Sequence, residues 1–246
     1  MPEYRASYPP PDEYAPVLPF DDFMTYEFRW TQDQHVGVIG PTEQGKTNLI
    51  RNLLALRNYT AYLGIKSEDA TLEKFITEDG YQRLYDWPPR TGRVFKREPT
   101  WTEMPRRLVW PDARLFDSEA EQRRVFSAAV RDIWASGRVC VVWDDFWYLS
   151  ALLKMERDAK KMLLNARSCH SPQVLAAQRA GGTRMVELTD QPTWLFWAKE
   201  NDPRNLNLVG PSSSVRRGFV ENLDRFQFLA EQTRTGDRYR ITAPLL

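Results

Sequence analysis

The chain has 246 residues, a formal net charge of +1, 42% hydrophobic residues and 27% charged ones, which suits one full-sized globular α/β domain. No apolar run approaches the roughly 20 residues of a membrane span, and a charge so near zero leaves no surface-wide footprint for nucleic acid, so any DNA contact has to be local. Two cysteines without C-x-x-C spacing argue against disulfides and a thiolate metal site.

The opening "MPEYRASYPP" has neither a basic nor an apolar leader region, so a cytoplasmic location is expected. Prolines at 2, 9, 10, 11, 16 and 19 preclude helix or central strand, and residues 1–20 read as an extended or disordered arm whose aromatic side chains can dock on a neighbouring subunit. A single domain is expected over 21–246.

"HVGVIG" (35–40) is an apolar strand opened by His35 in a structural role, and residues 47–57 have helical spacing. Between them "GPTEQGKT" meets the pattern G-x-x-x-x-G-K-[ST] in full through Gly40, Gly45, Lys46 and Thr47. The glycines let the backbone of Pro41, Thr42, Glu43 and Gln44 curl so that successive N–H groups face phosphate oxygens, and the cradle runs on to Asn48 at the positive end of the helix. Lys46 then reaches the β- and γ-phosphates of ATP, and the Thr47 hydroxyl holds Mg2+. Glu43 and Gln44 are bulky where many such loops carry small residues.

"TAYLGIK" (60–66) is a second strand with helix-leaning sequence after it. Residues 77–105, rich in proline, glycine, tryptophan and charge, read as an irregular insertion before a third strand, "RRLVW" (106–110). Residues 118–137 form a helix with a Ser118/Glu121 capping box, an apolar face of Phe126, Ala129, Val130 and Ile133, and a stop at Gly137. In "VCVVWDDFWYL" (139–149) a strand buried on both faces ends in two carboxylates. Presented beside a phosphate loop, Asp144 binds magnesium directly or through water, and Asp145 is the general base that activates the attacking water.

The stretch 151–170 has Leu152, Met155, Ala159, Met162, Leu163 and Ala166 on one helical face, with Lys154, Arg157 and Lys161 opposite. Those cations fit either a solvated outer face or a DNA contact, and so do Arg179 and Arg184 around the Gly181-Gly182 turn. "PQVLAAQRA" (172–180) is another buried strand, whose Gln178 lies beside the loop where it can sense the γ-phosphate. Cys169-His170 lacks a supporting third group for nucleophilic chemistry. Trp143, Trp194 and Trp197 fall in strands and read as core. The alternation predicts an α/β P-loop NTPase fold, with a RecA-like, mostly parallel central sheet flanked by helices.

"VVWDDFWYL", the helix ending "NARSCHSPQ", the strand "VLAAQR" and the later "NDPRNL" together resemble the HerA–FtsK superfamily of ring-shaped DNA-pumping ATPases over roughly residues 35 to 210. The resemblance implies that Lys46 and Thr47 are the Walker A pair, Asp144 the magnesium aspartate, Asp145 the catalytic acid, Gln178 the sensor and Arg167 an arginine finger inserted into a neighbour's site. Asp202 and Arg204 match the Asp-x-Arg that follows the next strand. The family usually has glutamate where Asp145 stands, a side chain longer by one methylene, about 1.5 Å. A bare motor with a short arm is most similar to the genome-packaging ATPases of tailless viruses with an internal membrane. That implies ATP-driven translocation of double-stranded DNA by a homo-oligomeric ring, hexamer or pentamer, in the host cytoplasm or associated with the virion. A viral capsid or membrane vertex protein is left open as a further partner, and an assembly or scaffold ATPase with little DNA pumping is the alternative.

Overall fold

The computed structural model describes residues 15–66, 68–89, 98–112, 118–179, 189–207 and 214–244, apart from the side chains of residues 166, 167, 214 and 215. The short apolar runs become strands: β1 (Val17–Leu18), β2 (Val36–Ile39), β3 (Thr60–Leu63), β4 (Gln82–Leu84), β5 (Arg106–Val109), β6 (Cys140–Trp143), β7 (Gln173–Ala177), β8 (Trp194–Ala198), β9 (Gln227–Gln232) and β10 (Arg238–Thr242). Among the described residues they form one sheet in the order β1-β10-β9-β8-β2-β7-β6-β3-β5-β4. Pairing is parallel except where β9 runs against β8 and β10.

Strands β2, β3, β6, β7 and β8 are buried along their whole lengths, because the connections between them place helices on both faces. On one face lie α1 (Lys46–Leu54) and α2 (Ala70–Thr77), with the aromatic segment around Phe23, Phe28 and Trp30. On the other lie α3 (Glu119–Ser136), α4 (Glu156–Cys169) and α5 (Ser214–Glu221). Strand alternation serves both layers: in β6, Cys140 and Val142 join the first, Val141 and Trp143 the second. Each fully buried valine or leucine contributes about 2 kcal/mol. Trp143, Trp194 and Trp197 are core side chains, each at most 2% exposed.

Two polar side chains inside this core, His35 and Gln173, are tied down by hydrogen bonds. His35 is buried; its Nδ1 accepts from the Gln173 amide at 3.1 Å, so Nε2 carries the proton and donates to the Leu163 carbonyl at 3.1 Å. One neutral imidazole thereby joins the entrance of β2 to β7 and α4. Gln173 Oε1 in turn accepts from Trp143 Nε1 at 2.8 Å.

Several local expectations change. The insertion at 77–105 contains β4, which pairs parallel with β5 near the sheet edge. Helix α4 starts at Glu156 and not near 151: Tyr148–Leu152 form a wider π-helical turn and Lys154 takes a left-handed φ of 55°. Leu152 consequently leaves the apolar face and stands 50% exposed, while Met155, Ala159, Met162 and Leu163 stay buried. The capping box at α3 does not form, because Ser118 already has helical φ and ψ; its hydroxyl accepts from Gln122 Nε2 at 3.2 Å, and Glu121 pairs with Arg124. The Gly137 amide does close that helix on the Ile133 carbonyl at 2.8 Å. Beyond β8 the sheet continues through the β9–β10 hairpin to β1, whose flanking prolines fit an edge strand.

Candidate nucleotide site

The carboxyl edge of the parallel strands gathers the polar groups, as expected for open α/β sheets. After β2 the chain must turn sharply beside β8. A Cβ on Gly40 would lie 2.5 Å from the Ala198 Cβ, so only glycine fits there. Glu43 follows in the left-handed region at φ 64°, a conformation that costs a non-glycine residue about 1 to 3 kcal/mol. Gly45, at φ 83°, opens α1, and no side chain among the described residues caps that helix. Its first amides and its positive end are therefore presented to an anion.

Lys46 Nζ donates to the carbonyls of Gly40 and Pro41, each at 2.7 Å. Burial lowers its pKa to about 8 against the opposing charges of Asp144 and Asp145. Asp144 Oδ1 accepts from the Tyr62 hydroxyl at 2.6 Å. Burial raises that carboxyl to about 6, with the Tyr62 bond and the Lys66 charge pulling the other way. The Tyr62 hydroxyl is itself pushed well above its usual range by burial and by Asp144. Asp145 Oδ1 accepts from the Tyr148 amide at 3.0 Å, and its Oδ2 accepts from Gln178 Nε2 at 3.3 Å. A strand end from β6 and one from β7 thus meet in one constellation.

These groups line a cavity of about 940 Å³, with Pro41, Thr42, Glu43, Gly45, Lys46, Thr47 and Asn48 on one wall and Asp144, Asp145 and Gln178 on another. That is room for a nucleoside triphosphate. Gly40 and Gln44 stand behind the wall: Gly40 offers its carbonyl to Lys46, and Gln44 Oε1 is buried without a hydrogen-bond partner among the described residues. Thr47 and Asp144 are hard oxygen donors in the same cavity, which suits magnesium, a cation normally held by one or two protein oxygens together with phosphates.

The structure adds residues that the sequence reading passed over. Lys66 and Asp69 line the cavity and pair with each other, and Asp69 also caps α2 by accepting from the Thr71 amide at 2.8 Å. Lys66 ends the buried strand run as Asp144 ends its own, a signal present in "TAYLGIK". Asn205, Arg225 and Phe226 also line the cavity. Asp202 and Arg204 do not line it; they pair with each other at 2.9 Å, where Asp202 caps the helical turn Pro203–Leu206. Lys154, Arg157 and Lys161 face a separate groove of about 490 Å³ between α3 and α4, together with Arg123 and Arg131, and Lys161 Nζ sits 4.7 Å from the Trp134 ring centroid. Arg167 has its backbone in the last turns of α4, and its side chain lies outside the described residues, as do Gly181, Gly182 and Arg184.

Fold and site define a P-loop NTPase architecture, a mixed α/β layer structure around a mostly parallel sheet, and the structural neighbours include NTPases of the same fold. No protein-family model matches the sequence, and no curated protein is significantly similar to it. The genome packaging NTPase B204 of Sulfolobus turreted icosahedral virus 2, solved with sulfate, superimposes with a TM-score of 0.60 at 14% identity, covering 88% of this chain and 99% of that one. The same NTPase in complex with AMPPCP gives 0.57 at 15% identity. The cytoplasmic domain of the type VII secretion ATPase EccC from Thermomonospora curvata gives 0.58 at 13% identity, covering 88% of this chain and 26% of that one. The pCW3 conjugation coupling protein TcpA gives 0.51 at 11% identity, over 86% and 60% respectively. At such identities the likeness defines the fold.

Proposed function

We propose that this chain is an ATP-driven motor that translocates double-stranded DNA during packaging of a viral genome, working as a homo-oligomeric ring, hexamer or pentamer, in the host cytoplasm or on the virion. The observation that carries the ATPase reading is the convergence of an uncapped, lysine-bearing helix start with Asp144, Asp145 and Gln178 in one cavity. Similarity to a packaging NTPase across nearly the full length of both chains supports the packaging role. The basic groove between α3 and α4, with five cations and one carboxylate along its walls, is a local surface suited to a phosphate backbone. A viral capsid or membrane vertex protein is the further partner this role implies.

In this reading the amides of the loop and the Lys46 ammonium bind the triphosphate and neutralise the charge developing on it. Thr47 and Asp144 would hold magnesium, which would supply neutralisation of the phosphate charge. Asp145 takes the proton of the attacking water, and Gln178, hydrogen-bonded to it, orients that carboxylate toward the γ-phosphate. Asp145→Asn is expected to retain Mg-ATP binding while turnover falls on the order of 10²-fold or more, since an amide cannot accept the proton. If Asp145→Asn loses nucleotide affinity as fully as Asp144→Asn, the two roles are wrongly assigned.

Turnover with and without double-stranded DNA tests the motor reading. A pump is stimulated several-fold, and the stimulation falls when Arg123, Arg131 and Arg157 are replaced by alanine. Equal turnover in both conditions, with assembly intact, would instead indicate an assembly or scaffold ATPase.

A further inference from the structure

The catalytic groups occupy only one side of the phosphate loop. In the sheet order, β7 and β6 flank β2 on that side and deliver Gln178, Asp144 and Asp145, while β8 and β9 flank it on the other. Strand β9 is antiparallel and pairs Phe228 with Ala198, so Arg225 and Phe226, just before its start, stand at the same carboxyl edge as the loop. A triphosphate that directs its γ-phosphate to Asp145 must send its nucleoside the opposite way, toward this edge.

What waits there is unusual. Phe226 is held at φ 67°, in the left-handed region, a genuine outlier for a bulky side chain that persists only when its surroundings impose it. Its ring lies against the loop: a Cβ at Gly45 would be 3.0 Å from Phe226 Cδ1. The Arg225 guanidinium carbon sits 4.7 Å from the ring centroid, and both side chains line the cavity beside Asn48 and Asn205. An aromatic ring and a planar guanidinium next to a triphosphate cradle offer a nucleobase two flat surfaces to stack on.

We propose that Phe226 and Arg225 form the nucleobase seat of this site, an inference that rests on the ATPase reading above. Stacking reads the flat face of a base and not its edges, so the seat favours purines over pyrimidines and separates ATP from GTP weakly.

Calorimetric titration of the magnesium complexes of ATP and of inorganic tripolyphosphate tests it, using the wild-type chain and the Phe226→Leu, Phe226→Tyr and Arg225→Ala variants. Phe226→Leu and Arg225→Ala should each weaken ATP binding about fivefold, with tripolyphosphate affinity unchanged and Phe226→Tyr close to wild type. Arg225 is exposed, so its variant carries the test should Phe226→Leu fail to fold. The seat is refuted if Arg225→Ala and Phe226→Leu leave ATP affinity intact, or if both ligands weaken together. Wild-type protein that binds neither ligand would instead overturn the ATPase reading, and the seat with it.

Discussion

Lys46→Ala is expected to abolish ATP binding and hydrolysis, with a fall in kcat/KM on the order of 10³-fold or more. The lysine is the one cation of the phosphate loop, and it is already positioned by the carbonyls of Gly40 and Pro41 at 2.7 Å. Its pKa, lowered by burial to about 8, means that holding the ammonium in this site costs free energy in the absence of an anion. Alanine therefore removes the phosphate contact without removing a stabilising element, and the melting temperature of the nucleotide-free protein should be unchanged or slightly higher. Titration calorimetry with Mg-ATP and thermal melts check the two halves separately. Unchanged nucleotide affinity would sink the assignment of the loop.

Arg167→Ala is expected, if the proposed ring forms, to lower its turnover on the order of 10³-fold while each subunit still binds nucleotide. The reasoning is topological. Helix α4 leaves the carboxyl edge of the sheet after β6 and descends to the opposite edge, where β7 begins. Residue 167 stands near its lower end, and the five residues of β7 separate it from its own phosphate loop by about 15 Å. That exceeds the reach of an arginine side chain. A catalytic role must accordingly be exercised on a neighbour's nucleotide. Mixing makes the distinction: Lys46→Ala subunits still donate Arg167, and Arg167→Ala subunits keep an intact nucleotide site, so each is inactive alone and a mixture regains part of the activity. Normal hydrolysis by Arg167→Ala with DNA present, or a dead mixture despite co-assembly, would leave Arg167 as a helix-end residue of little energetic weight.

Much of this site was legible in the sequence because its parts are local. A phosphate loop needs two glycines, a lysine and a hydroxyl at fixed spacing, and the apolar strand before it needs burial on both faces; both demands are written into contiguous residues. The same holds for β6 and β7, whose hydrophobic runs end in Asp144-Asp145 and in Gln178. The sheet order was legible only as a class, since alternating strands and helices imply a parallel sheet but do not say which strand lies beside which.

Other features depended on contacts that no short window contains. Ser118 resembled a cap until its own backbone proved helical, and Leu152 resembled a core residue until a π-helical turn displaced the start of α4. Helical spacing assumes a regular helix, so an irregular turn at its start escapes it.

By itself the sequence determined the phosphate loop, the acidic strand end, the glutamine strand end and the α/β class, because each rests on residue chemistry repeated at short, regular spacing. Only the tertiary structure decided that Gln178 would bind Asp145, that Tyr62 would hold Asp144, and that an antiparallel β9 would carry Arg225 and Phe226 to the far side of the same cavity. Those juxtapositions join residues 33, 82 and about 180 positions apart, and strand neighbours at such separations are chosen by the packing of two helical layers against a single sheet.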